Sequence, residues 1–161
     1  DSSAKDQYQE AKWLIKNLRE RSITILRVSR AIMGKQTSFL EKGKLYLKPL
    51  ILRNIAEELD LHESTISRVT TNKFISTPHG IFELKYFFGS SIKIENGKEL
   101  SSKAILFKIK ELVQNENSVS PFSDEQLSKI LKKEGIQISR RTIAKYRTAL
   151  KILPSNQRKI I

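Results

Sequence analysis

Four cations, Arg140, Arg141, Lys145 and Arg147, fall within eight residues directly behind Ser139, and no acidic residue lies between Ser139 and the C-terminus. Arginine carries a planar fork of donors that fits the two acceptors on the major-groove edge of guanine, whereas lysine is a point charge suited to phosphate. Serine is a preferred N-cap. SRRTIAKYR therefore reads as a helix whose first turn holds Arg140 and Arg141, where helix-turn-helix proteins place base-reading side chains. Ile143 and Tyr146, three apart, turn another face toward a small core. Basic residues near a helix C-terminus are ordinary, but these begin at the N-terminal end, where the macrodipole disfavours them unless an anion is present. The chemistry of the stretch is recognition of nucleic acid.

The elements in front of it have the pattern of a scaffold. Ser101 or Ser102 can cap a helix through Val113 whose Ile105, Leu106, Ile109, Leu112 and Val113 form one apolar face. PFSDEQL then holds several start signals together: Ser123 as cap, Gln126 three residues on, and Phe122 to staple against Leu127. That helix carries Ile130 and Leu131 and stops at Gly135, while Ile136 and Ile138 anchor the turn into the basic helix. A three-helix unit with an exposed last helix is expected.

A second reading head precedes this one. Counted from Leu52, the buried positions of a helix-turn-helix template fall on Ile55, Ala56, Leu59, Leu61, Ile66 and Val69. Asp60 takes the turn position where Gly is usual, and Asp tolerates the left-handed conformation better than most residues. The second helix would begin near Glu63, with His62, Glu63, Ser64 and Arg68 outward and Arg68 the foremost base or phosphate contact. Upstream, Tyr8, Ala11, Ile15, Leu18, Ser22, Ile25, Ser29 and Ile32 alternate spacings of three and four, which predicts one long amphipathic helix running to Phe39, packed on a core rather than in a dimeric coiled coil. From Phe74 to Phe88 a Pro78–Gly80 turn separates two apolar segments, compatible with a hairpin wing or with a loop leading to a helix. Phe82, Tyr86 and Phe87 are expected in the core, and His79 in the turn.

The 161 residues carry 30 Lys and Arg against 17 Asp and Glu, a net charge of +13, which points to a polyanionic partner. GSSIKIENGKELSS, with an Asn96–Gly97 turn, is the best linker candidate. Residues 1–91 hold 15 basic and 10 acidic side chains, and residues 101–161 hold 13 and 5, so the smaller part carries the denser field. No run of eighteen apolar residues exists and the start has no signal-peptide pattern, so no membrane partner is expected; the cytoplasm is the expected location, with which zero Cys is compatible. Zero Cys excludes disulfides and thiolate metal sites. Asp rather than Met in first position points to a fragment.

SRRTIAKYR, followed by Leu150, Leu153, Pro154 and Ser155, closely resembles the RpoN box, consensus ARRTVAKYRE, of the sigma-54 (sigma-N) family of bacterial RNA polymerase sigma factors. Ser139 stands for Ala, Ile143 for Val and Thr148 for Glu. LHESTISR, TPHG and ELKYFF resemble the helix-turn-helix of the same family, and AKWLIKNLRERSITILRVSRAI its long preceding helix. The resemblance implies a mainly α protein with two helix-turn-helix DNA-binding domains: residues 1–90, a linker over 91–102, and residues 103–161. It implies that the box helix reads a GG-containing promoter element (−24) and the first helix-turn-helix a GC-containing one (−12), about one DNA turn apart on the same face. The expected DNA-contacting set is Ser139, Arg140, Arg141, Thr142, Ala144, Lys145 and Arg147 together with His62, Glu63, Ser64, Thr65 and Arg68. Arg140 and Arg141 would serve the GG, Lys145 and Arg147 phosphate, and Arg68 the downstream element.

Because the two helices differ, an asymmetric site read by a monomer is expected. The family's partners are double-stranded promoter DNA, core RNA polymerase and an activator ATPase, the latter two acting mainly through regions without a counterpart here. An enzyme is not expected: there are two His, no Cys, no phosphate-cradling Gly loop, and no carboxylate pair that falls in a plausible site, Glu57 and Glu58 being adjacent on a helix. No cofactor or metal is expected. The alternative is a nucleoid or RNA-binding protein that uses the same charge without base reading.

Overall fold

A computed structural model describes residues 2–93, 97 and 99–160. Asn96 of the expected Asn96–Gly97 turn lies outside the described residues. The chain divides into two packed units, one of Asp1–Lys35 with Ile51–Phe87, the other of Gln36–Leu50 with Phe88–Ile161. Both are mainly helical.

In the first unit a long helix, α1 (Ser2–Lys35), packs on α3 (Leu52–Leu59) and α4 (Glu63–Thr70). Val28, Ala31, Ile32, Ile55, Ala56, Ile66, Leu84 and Phe87 are its buried apolar side chains. The amphipathic stripe is put to use only toward its end: Tyr8, Ile15 and Leu18 are 65%, 52% and 55% exposed, whereas Ile32 is fully buried. The expected core packing thus holds for the last turns and not for the first part of the helix. Nor does α1 reach Phe39. It stops at Lys35, because Gln36 turns inward and is buried, its Nε2 donating to the Lys48 carbonyl and its Oε1 accepting the Lys48 amide, each at 2.9 Å.

The α3–α4 corner follows from local chemistry. Asp60 adopts φ 52°, ψ 50°, the left-handed state expected of it, and the Leu61 amide closes onto the Ala56 carbonyl at 2.9 Å. After α4 the chain forms a hairpin, β1 (Phe74–Thr77) antiparallel to β2 (Gly80–Glu83), in the register Phe74 to Glu83 and Ser76 to Ile81. A 3₁₀ turn over Leu84–Phe87 follows, so the stretch is a wing and then a helical turn. Phe87 is buried, with Tyr86 edge-on to it at 5.6 Å between centroids and Phe82 at 6.0 Å. The His79 amide donates to Thr77 Oγ1 at 3.2 Å, a turn contact.

The second unit begins with the short α2 (Thr37–Lys42) and a 3₁₀ turn, Lys44–Tyr46, that packs on α5 (Ser102–Gln114). Within the stretch expected as a linker, β3 (Ser91–Lys93) pairs antiparallel with β4 (Glu99–Ser101), Ile92 opposite Leu100. These residues are paired backbone rather than loose chain, since both strands find ladder partners at once. Ser101 caps α5, accepting the Lys103 amide at 3.2 Å. Then come α6 (Asp124–Lys133), α7 (Arg140–Ala149) and the single turn α8 (Ser155–Arg158). Ile105, Ile109, Leu127, Leu131, Ile136, Ile138 and Ile143 form one buried cluster, flanked by Phe122, Tyr146 and Leu150.

Candidate nucleic-acid interface

The α7 helix is aimed by three local devices. Ser123 and Gln126 form the reciprocal cap of α6: the Gln126 amide donates to Ser123 Oγ at 3.2 Å, and the Ser123 amide to Gln126 Oε1 at 2.8 Å. Gly135, at φ 80°, reverses the chain after α6, and the Ile136 amide returns to the Leu131 carbonyl at 2.9 Å. Ser139 Oγ then accepts the Thr142 amide at 3.2 Å and lies 3.0 Å from Thr142 Oγ1. The cap consumes Ser139 and leaves the first turn of α7 open.

Helical spacing divides α7 cleanly. Ile143 is fully buried and Tyr146 and Leu150 are half-buried on the core side, while Arg141, Lys145 and Thr148 are exposed on the other, with Arg140 beside them. Ala144 falls between Arg141 and Lys145, small enough to let the helix approach a surface closely. The Glu125 carboxyl is held below its ordinary range by the Lys129 ammonium 2.8 Å away and, more weakly, by Arg140. Core burial raises the Tyr146 phenol above its ordinary 10.

Arg147 is the departure. It was expected on phosphate, yet it is 8% exposed and its donors are engaged: Nε to Asp124 Oδ1 at 2.8 Å, Nη2 to Asp124 Oδ2 at 3.2 Å, and Nη1 to the Ile152 carbonyl at 2.8 Å. It stands four residues after Ile143 and three before Leu150, on the apolar side of the helix. That spacing was the signal available in the sequence.

In the first unit, His62 caps α4 with a ring nitrogen. Its Nδ1 accepts the Ser64 amide at 3.3 Å and lies 2.8 Å from Ser64 Oγ, an arrangement that needs Nδ1 unprotonated. Arg68 is exposed, with Ser64 one turn before it on the same side; Thr65 is half-buried at its flank. Ser67, absent from the sequence-based set, also lies on this outward arc. Glu63 is exposed, and Arg53 reaches it at 4.0 Å while lying 3.4 Å from Glu57. With Asp60 and His62 these side chains border an open groove of about 490 Å³.

The one hydroxyl set beside an imidazole on these two helices, Ser64 Oγ at 2.8 Å from His62 Nδ1, belongs to the cap of α4, and the described residues hold no group of three or more His, Cys, Asp or Glu able to bind a metal. What both present is capped, exposed, hydrogen-bonding and cationic surface at the outer helix of a helical corner.

A family model described as sigma-54, DNA binding domain matches residues 1–160. The chain is 54% identical over 151 residues to the RNA polymerase sigma-54 factor of Escherichia coli K12, covering 94% of this chain and 32% of that one. To the factor of Acinetobacter guillouiae it is 52% identical over 157 residues, covering 98% and 33%. A crystal structure of Aquifex aeolicus sigmaN bound to promoter DNA is similar with a TM-score of 0.54 and 35% identity, over 99% of this chain and 48% of that one. The chain thus spans about a third of the length of the curated relatives it matches.

Proposed function

The chain belongs to the sigma-54 DNA-binding domain family, and on that premise we propose that it binds promoter DNA in transcription initiation through two unlike recognition helices. The helix α7, within residues 103–161, enters the major groove at the GG-containing −24 element. There Arg140 and Arg141 read or flank the guanines, Lys145 holds phosphate, and Ser139, Thr142 and Ala144 set the close approach. The helix α4, within residues 1–90, engages the −12 element through Arg68, with His62, Glu63, Ser64 and Thr65 around it. The observation that carries this reading is the exposed pair Arg140 and Arg141 in the first turn of a capped helix whose other side is core.

Two different heads on one chain suit an asymmetric site and a monomer, where a symmetric protein would dimerise on a palindrome. Core RNA polymerase and the activator ATPase belong to the function of the longer factor. The chain's own part is to place it on DNA. It is a regulatory DNA-binding part and not an enzyme.

The test is fluorescence anisotropy with a duplex carrying both elements against one in which GG is replaced, at matched salt. Replacement should cost a large part of the affinity, and Arg141→Ala on the intact duplex should cost about 1–3 kcal/mol and relax specificity at that position. Equal binding to both duplexes would leave only a basic protein on phosphate.

A further inference from the structure

We propose that Arg147 is a positioning residue for the recognition helix, and that its pairing with Asp124 sets the angle at which α7 meets DNA. The inference rests on the promoter reading above and deepens it. Leu127 and Leu131 of α6 and Ile143 of α7 belong to one apolar cluster, which carries no directional preference, and Ser128 Oγ of α6 donates to the Ile138 carbonyl at 2.6 Å, which fixes the turn that enters α7 but not the far end of the helix. The Arg147–Asp124 pair is directional: both carboxylate oxygens meet the planar fork, and the third donor closes on the Ile152 carbonyl. Lys151, at φ 56°, reverses the chain there, and the Ile152 amide returns to the Arg147 carbonyl at 3.0 Å. One side chain therefore ties the first residue of α6, the last turns of α7 and the segment that follows.

The lever arm makes this matter. Arg140 lies seven residues before Arg147, about 10 Å along the helix axis. A swing of about 10° around the clamp moves the reading end by roughly 2 Å, several times the ~0.5 Å tolerance of a pre-organised contact. Bidentate recognition of a base has that geometric demand, whereas attraction to phosphate tolerates such a swing. Loss of the clamp should thus cost discrimination and spare general DNA affinity.

The experiment uses the full chain, the GG duplex and the GG-replaced duplex, each over a salt series. Arg147→Lys keeps the charge and loses the fork. The double variant Arg147→Met with Asp124→Leu removes the clamp while leaving no buried charge, so it keeps the fold where a single truncation could fail. In both, the affinity ratio between the duplexes should fall about tenfold. Affinity for the replaced duplex should stay within about twofold, and the salt slope should be unchanged. If both affinities fall in parallel and the slope drops by about one contact, Arg147 holds phosphate and the proposal is overturned. If folded variants keep the wild-type ratio, Arg147 serves stability alone, which also overturns it. A wild-type ratio near one would instead overturn the promoter reading, and the proposal with it.

Discussion

Arg158 closes on Glu116 with both sides of its guanidinium, Nε to Oε1 at 2.7 Å and Nη2 to Oε2 at 2.9 Å, and the two side chains are 12% and 7% exposed. The pair is set in further bonds. Arg158 also donates to the Phe122 and Leu153 carbonyls, and the Phe122 amide donates to Glu116 Oε2 at 2.8 Å. The last turn of the chain is thereby joined to the connection between α5 and α6, from which α6 and its cap depart. Breaking a buried pair from one side leaves an uncompensated charge, so Arg158→Ala should destabilise the second unit by about 3–5 kcal/mol. Exposed Lys159→Ala should stay within about 0.5 kcal/mol of the parent. Urea unfolding of both variants checks this, and equal midpoints would show the pair to be incidental.

The two ends of α1 should respond unequally to substitution. Ile32 is fully buried against the helix-turn-helix, and Ile32→Ala should cost about 2–5 kcal/mol through lost burial and a residual cavity. Ile15, 52% exposed on the same stripe, gives up little on becoming Ala. A change there below about 0.5 kcal/mol is the expected thermal-unfolding result. A cost at Ile15 comparable to that at Ile32 would mean that the early turns of α1 are covered in solution.

That helix also shows where reading a sequence stops. Periodicity of three and four marks a face that could be buried, and it is identical at Ile15 and Ile32, since what decides between them is the presence of α3 and α4 beside one end only. Signals that complete themselves within a turn fared better. The Ser123 and Gln126 cap, the Ser139 cap, the Gly135 reversal and left-handed Asp60 all involve atoms a few residues apart, and all stand in the structure. The burial of Arg147 was not foreseen because its partner Asp124 lies 23 residues earlier, although the Ile143 and Leu150 spacing already put it on the inner side. The β3–β4 ladder was invisible for a related reason: strands of three residues in a Ser, Lys and Glu context acquire their structure only from each other. Arg140, Arg141 and Lys145 were legible because exposure is what their pattern implies when nothing opposes it.

Tyr86 and Tyr146, one in each unit, are both raised above the ordinary tyrosine value of 10 by desolvation. Their folded states therefore hold protons that the unfolded chain releases once the pH passes about 10. Stability contributed by keeping these phenols neutral is present in full below that value and is lost as pH rises toward the folded ones. Ultraviolet titration should show a late tyrosine fraction that merges with the rest in denaturant, and Tyr146→Phe should flatten the alkaline fall in melting temperature of the second unit. An unchanged alkaline slope in that variant would remove Tyr146 as a cause.

His62 joins stability and recognition in one ring. With Nδ1 accepting the Ser64 amide, the neutral imidazole carries its proton on Nε2, so the cap itself sets which nitrogen can donate elsewhere. His62→Ala should cost about 0.5–2 kcal/mol through loss of the cap, and His62→Asn should restore most of it, since Asn is among the preferred caps. On DNA the two variants should separate the roles. If the ring only caps α4, His62→Asn binds a duplex carrying both elements as the parent does. If Nε2 also donates to the DNA, His62→Asn melts like the parent but binds more weakly, and the deficit disappears on a duplex whose GC element has been replaced. Long-range nitrogen NMR on the free chain provides the direct check, and a proton found on Nδ1 would defeat both versions.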